Sequence, residues 1–175
     1  MKRRSNTKKP HEPHELFLDE GVSGKKFQSL LKEARLTVHL FESLLHKKKK
    51  VPDSRVIEVT AKAGYVLVTT DKRMEAVWTD DIISHKAKVI LLTDEDGGPI
   101  HWASALIVGQ SAWERVLLDH LSEPVTIKLN KFGSVTKIAG EAELRKRRDA
   151  LLTVRITQAK RAGKSVKAGI IKGVK

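Results

Sequence analysis

The chain predicts an α/β domain with a mainly parallel central sheet. Three observations carry that prediction. Up to about residue 121, strand-length apolar runs alternate with segments whose apolar residues recur every three or four positions, the pattern of successive βαβ units with right-handed crossovers. The run Tyr65-Val66-Leu67-Val68-Thr69 has the continuous apolar character of a parallel strand covered on both faces. Acids follow two of the runs directly: Asp19 and Glu20 after Leu16-Phe17-Leu18, and Asp71 after Thr70.

Residues 1–15 are rich in Lys, Arg, His and Pro without hydrophobic periodicity and are expected to form a disordered basic arm. Leu16-Phe17-Leu18 opens the domain as a buried strand. Phe27, Leu30, Leu31 and Ala34 then mark one helical face. Thr37–Phe41 is a second β-prone run, and the segment from Ser43 to Pro52, with lysines at 47 to 50, reads as a loop or a helix end. Asp53 and Ser54 suit a helix start, Val56, Val59, Thr60 and Ala63 its buried face, and Gly64 its end. Lys88–Thr93 is a further strand, leading into the acidic turn Asp94-Glu95-Asp96-Gly97-Gly98. One long helix is expected from about Ile100 to Leu121, with Trp102, Leu106, Trp113, Leu117 and Leu121 inward. Val125–Leu129 and Val135–Ile138 flank Asn130-Lys131-Phe132-Gly133 as a β-hairpin. Residues 141–163 read as a basic helix with a narrow apolar stripe of Leu144, Leu151 and Val154, followed by a disordered Gly/Lys-rich tail. The chain thus divides into an arm (1–15), one α/β domain (16–139) and a basic helix with its tail (140–175).

Composition bounds the chemistry. The 175 residues suffice for one well-buried core, and 40% hydrophobic with 31% charged residues suit a globular chain. No apolar run approaches the roughly 20 residues of a membrane helix, and Lys2, Arg3 and Arg4 are not followed by a signal-like apolar stretch, so a cytoplasmic location without membrane contact is expected. The absence of cysteine removes disulfides, thiolate zinc sites and cysteine nucleophiles. The net charge of +13 is concentrated at the ends: residues 1–15 hold five Lys or Arg against two acids, and residues 141–175 hold eleven against three. Basic ends on a nearly neutral centre suit either contact with a polyanion such as nucleic acid or plain solvation.

In open α/β sheets, ligands bind beyond the carboxyl ends of the strands, which is where Asp19, Glu20 and Asp71 are expected. Asp53 starts a helix that the topology could bring to the same edge. Taken singly, Asp53 is explained as a helix cap, Asp71 as a turn residue and Glu20 as a solvent-facing acid. Taken together, converging carboxylates repel unless a cation joins them. Hard oxygen ligands with open positions suit Mg²⁺ or Mn²⁺, which activates water and stabilises phosphoryl charge.

The order of these segments carries a resemblance. Leu-Phe-Leu-Asp-Glu at 16–20, the amphipathic helix, Pro-Asp-Ser at 52–54 and Gly-Tyr-Val-Leu-Val-Thr-Thr-Asp-Lys at 64–72 together resemble PIN-like ribonuclease domains, closest to the toxin-type, VapC-like branch. Lys88–Ile138 is similar to the strand, helix and hairpin that complete such members, so the resemblance covers roughly residues 16–139. It implies a three-layer α/β/α fold and a divalent-metal endoribonuclease with Asp19, Asp53 and Asp71 as catalytic metal ligands and Glu20 as an accessory ligand. It also implies RNA as substrate and, for toxin-type members, an antitoxin protein as partner; a homodimer is a further expectation. Where the pattern often has another Asp two residues after the third acid, this chain has Arg73, then Met74 and Glu75. Glu75 is therefore a candidate metal ligand from the next turn. The alternative is a non-catalytic nucleic-acid-binding or assembly protein that keeps a PIN-like fold.

Other features carry less. Gly21-Val22-Ser23-Gly24-Lys25-Lys26 spaces its glycines three apart rather than five and has no Ser or Thr after the lysine, so it is not a P-loop. The acidic turn at 94–96 lacks calcium-loop spacing. His11-Glu12-Pro13-His14-Glu15 falls at the end of the basic arm, His39, His85 and His101 are scattered, and Trp102 and Trp113 suit core packing. A small-molecule enzyme is disfavoured, because no cofactor motif or nucleophile arrangement occurs.

Overall fold

The computed structural model describes residues 14–40, 51–93 and 97–161. The expected arm up to residue 13, most of the lysine-bearing segment (41–50), the acids at 94–96 and the tail from 162 lie outside the described residues.

The strands are β1 (Leu16–Leu18), β2 (Val38–Leu40), β3 (Val66–Thr69), β4 (Lys88–Leu92), β5 (Val125–Leu129) and β6 (Val135–Gly140). They form one sheet in the order β2-β1-β3-β4-β5-β6. The first five are parallel and β6 is antiparallel to β5, closing the expected hairpin. The helices are α1 (Lys25–Glu33), α2 (Asp53–Ala63), α3 (Arg73–Val77), α4 (Thr79–Ser84), α5 (Gly98–Val108), α6 (Gln110–Asp119) and α7 (Glu141–Arg161), with a short 3₁₀ turn at Glu20–Val22.

Alternation along the strands divides the core in two. Leu16, Leu18, Val66, Val68, Ile90, Leu92, Val125, Ile127 and Leu129 face α1, α5 and α6 through Phe27, Leu31, Leu106, Trp113 and Leu117. Phe17, Leu67, Val89 and Ala139 face α2, α3, α4 and α7 through Val56, Ile57, Met74, Ile82 and Leu144. Strands covered on both sides explain the unbroken apolar runs, and the three α/β/α layers follow. Chain order reverses its lateral direction between β1 and β3, so the switch point of the sheet lies there.

Several expectations need correction. The single helix from Ile100 to Leu121 is two helices, because Gly109 meets the hairpin turn: a Cβ there would lie 2.4 Å from the carbonyl oxygen of Gly133. The indole Nε1 of Trp113 donates to the Leu106 carbonyl across the break (2.9 Å), and Leu121, beyond the end of α6, is 52% exposed rather than inward. The expected Val56 and Thr60 of α2 are buried, but Ile57 rather than Val59 is buried with them, and Ala63 is exposed. On α7 Leu144 joins the core, while Val154 is 52% exposed. The connection between β3 and β4 holds α3 and α4, each too short for a periodic signal.

Candidate functional site

Asp19 follows β1 and continues its pairing, its N–H donating to the Val68 carbonyl at 3.1 Å. Its Oδ1 accepts from the Glu20 N–H (2.9 Å), capping the 3₁₀ turn, and its Oδ2 accepts from the hydroxyl of Thr69 (2.8 Å). The same Thr69 oxygen accepts the Asp71 N–H at 3.0 Å. One fully buried threonine at the end of β3 therefore ties the two strand ends, and the two acids, together. Nothing in the periodicity marks Thr69 for this work; the signal is its place between a buried strand and an acid.

Asp71 is held by a neighbour. Its Oδ1 accepts from the backbone N–H and Nε of Arg73 (2.9 and 3.0 Å), and its Oδ2 accepts from Nε and Nη2 (3.0 and 2.8 Å). This fork holds the Asp71 carboxyl below its ordinary range and raises the guanidinium, to which Asp53 adds a smaller pull. Asp53 is the first residue of α2, whose cap is Pro52, so its carboxylate is not spent on a capping hydrogen bond. Asp19 is perturbed the other way. Burial pushes its carboxyl up against the hydrogen bonds from Thr69 and Glu20, and the charges of Asp53 and Glu20 push it further.

Asp19, Glu20, Asp53 and Asp71, with Lys72 and Arg73, line one cleft of about 400 Å³ at the carboxyl ends of β1 and β3. Four acids against two cations make it an acidic place on a strongly basic chain. Glu75 lies elsewhere. Its oxygens engage Arg147 Nη1 (2.8 Å) and Lys128 Nζ (2.5 Å), joining α3 to α7 and β5. Burial would raise its carboxyl, but these two partners together hold it below the usual range. Arg147 also binds Glu143 (3.1 Å), so Glu75 belongs to a structural network rather than to the cleft.

In donor type the cleft fits a hard divalent cation: three Asp carboxylates, one of them uncomfortable with its charge. The coordination geometry is incomplete. Among the described residues no three His, Asp or Glu side chains stand close enough to share one ion, and both oxygens of Asp71 are taken by Arg73. Asp19 and Asp53 would hold such a cation, with Asp71 joining them once Arg73 releases it.

Among the described residues no helix is long and apolar enough to cross a membrane. No protein-family model, no curated protein and no solved structure matches this chain.

Proposed function

We propose that the protein is a divalent-cation-dependent endoribonuclease of PIN-like type, hydrolysing RNA phosphodiesters at the cleft between β1 and β3. The observation that carries this reading is the meeting of Asp19, Asp53 and Asp71, from three separate segments, in one cleft at the switch point of the sheet. A bound Mg²⁺ or Mn²⁺ would supply an acidified water and charge neutralisation at the phosphoryl oxygens. Asp53, whose carboxylate is not spent on capping α2, would hold that cation together with Asp19. Asp19 is kept in place by Thr69, and Arg73, on releasing Asp71 to the cation, would offer its N–H donors to a phosphate oxygen at the rim. The basic helix α7 and the basic ends add sequence-independent affinity for the RNA. In a toxin-type member, an antitoxin protein would cover the same cleft.

The test is cleavage of single-stranded RNA by the wild type, Asp19→Asn and Asp71→Asn, each with Mn²⁺ and with chelator. Cleavage confined to the wild type in metal supports the reading. Equal cleavage in every arm sinks it. A second reading, a non-catalytic nucleic-acid-binding protein of the same fold, is favoured by the Arg73 fork, which neutralises one acid of the cleft. That reading predicts no cleavage, together with salt-sensitive RNA binding that survives Asp19→Asn and is lost on truncation after residue 150.

A further inference from the structure

The parallel register carries the edge that holds the acidic cleft across to β5. Thr69 pairs with Leu91 and Leu91 with Lys128, so two residues further on Asp71, Thr93 and Asn130 follow β3, β4 and β5 at one level. The Thr93 N–H donates to the Leu129 carbonyl (3.0 Å), which keeps the ends of β4 and β5 together. The hairpin turn at 130–133 therefore rises from the same edge as the cleft, two strand spacings or about 10 Å from Asp71. At its tip Phe132 is 70% exposed, whereas Phe17 and Phe27 are buried. The turn that carries this ring is firmly built. Asn130 Oδ1 accepts from the N–H groups of Phe132 and Ser134 (both 3.0 Å), Gly133 takes φ 77°, and its backbone rests on that of Gly109 between α5 and α6. Lys131, also exposed, holds its Nζ 5.4 Å from the centre of the ring.

We propose that Phe132 and Lys131 form a subsite for one unpaired nucleotide of the RNA, the ring stacking on the base and the ammonium pairing with the phosphate beside it. The choice of RNA as the strand rests on the nuclease reading of the cleft. Three features select a nucleotide. Stacking needs a flat, exposed and fixed ring, and the braced turn supplies one with no loop to order on binding. A cation held beside the ring suits a ligand with a negative charge next to its flat face; an apolar protein segment or a neutral sugar would leave the lysine unused. The third feature is the cleft itself. Its four acids against two cations repel phosphates, so a strand needs a grip outside it, and the turn stands on the same edge within reach of the same strand. In a duplex each base is paired and covered by its neighbours, so its face is closed to Phe132. The subsite therefore takes unpaired segments and directs cleavage to phosphodiesters near them.

Fluorescence anisotropy of a labelled oligouridine of about 12 nucleotides, measured with the full chain in chelator so that no cleavage intervenes, reads the subsite directly. Phe132→Ala should weaken binding about tenfold and Phe132→Leu nearly as much, while Phe132→Trp should bind at least as well as the wild type. An RNA duplex of the same length should bind the wild type and all three variants alike. Lys131→Ala should lower the salt slope of oligouridine binding by about 0.7. Each variant should melt with the wild type, because both side chains are exposed. A loss shared equally by the duplex, or full affinity in Phe132→Leu, would overturn stacking on a base. Unchanged affinity in Phe132→Ala would overturn the proposal and leave the ring to a protein partner, and a wild type that does not bind oligouridine would overturn it as well. Binding is read without metal, so a wild type that binds in this pattern yet cleaves nothing in Mn²⁺ sinks the nuclease reading and keeps the subsite.

Discussion

Replacing Thr69 by valine keeps the β-branched shape of a side chain with no solvent exposure and removes only its hydroxyl. Two hydrogen bonds go with it, the donation to Asp19 Oδ2 at 2.8 Å and the acceptance from the Asp71 N–H at 3.0 Å. A bond to an ionised group contributes about 1.5–3 kcal/mol and a neutral one about 1 kcal/mol. The methyl group that replaces the hydroxyl returns up to about 0.8 kcal/mol of apolar burial. The net expectation for Thr69→Val is a loss of about 2–3 kcal/mol at pH 8. Thr69→Ser keeps both bonds and removes one methyl, for about 1 kcal/mol. Urea unfolding of the wild type, both variants, Asp19→Asn and the Asp19→Asn/Thr69→Val pair measures this directly. The cycle should show coupling of about 1 kcal/mol or more between the two positions. A Thr69→Val loss no larger than that of Thr69→Ser, or coupling indistinguishable from zero, would refute the claim that this hydroxyl holds the two acids together.

The pH dependence follows from the opposite perturbations of two acids. Asp19 is raised in the folded chain, so the folded state binds its proton more readily and the stability it contributes is lost as pH rises through its folded value; Asp19→Asn should gain on the wild type from about pH 4 upward, read from urea midpoints. Asp71 is lowered by Arg73, so its contribution is present above the unfolded value and lost as pH falls through the folded one; Asp71→Asn should remove that acid-side loss. Arg73→Ala removes the guanidinium from both Asp71 oxygens while the backbone N–H stays on Oδ1, and should tighten Mn²⁺ binding about tenfold or more by calorimetry; unchanged affinity would mean that the fork does not compete with the cation. Gly109→Ala should lower stability by about 1–3 kcal/mol, since its Cβ would meet the Gly133 carbonyl at 2.4 Å. Gly24→Ala, with open space and φ −59°, should be neutral or gain up to about 1 kcal/mol in the same melting experiment.

What the sequence made legible was whatever depends on burial pattern. Strands covered on both faces announce themselves by unbroken apolar runs, so the sheet, the hairpin and the strand-end positions of Asp19 and Asp71 were readable. Asp53 was less legible, reached through the topology that could bring its helix to this edge and through the ordered resemblance, since as a residue type at a helix start it looks like a cap; Pro52 holds the cap position instead. The misreadings have local causes. In α2 Ile57 rather than Val59 is buried beside Val56 and Thr60, because these two residues flank that stripe about equally and tertiary packing chooses between them. The break at Gly109 depends on Gly133, 24 positions away in sequence, and a contact at that distance leaves no periodic trace. Glu75 was expected at the cleft from its spacing after Asp71, yet α3 turns it toward Lys128 and Arg147, both distant in sequence. Ion pairs of that kind are settled by tertiary packing, and no one-dimensional pattern carries them.

Asp53→Asn offers the most direct test of the nuclease reading, because Asp53 lines the cleft without a capping role in its helix. Single-turnover cleavage of end-labelled single-stranded RNA in Mn²⁺, with melting temperature measured on the same samples, separates chemistry from folding. Asp53→Asn is expected to melt with the wild type and to cleave at least about 100-fold more slowly. Cleavage by Asp53→Asn at the wild-type rate would contradict the assignment.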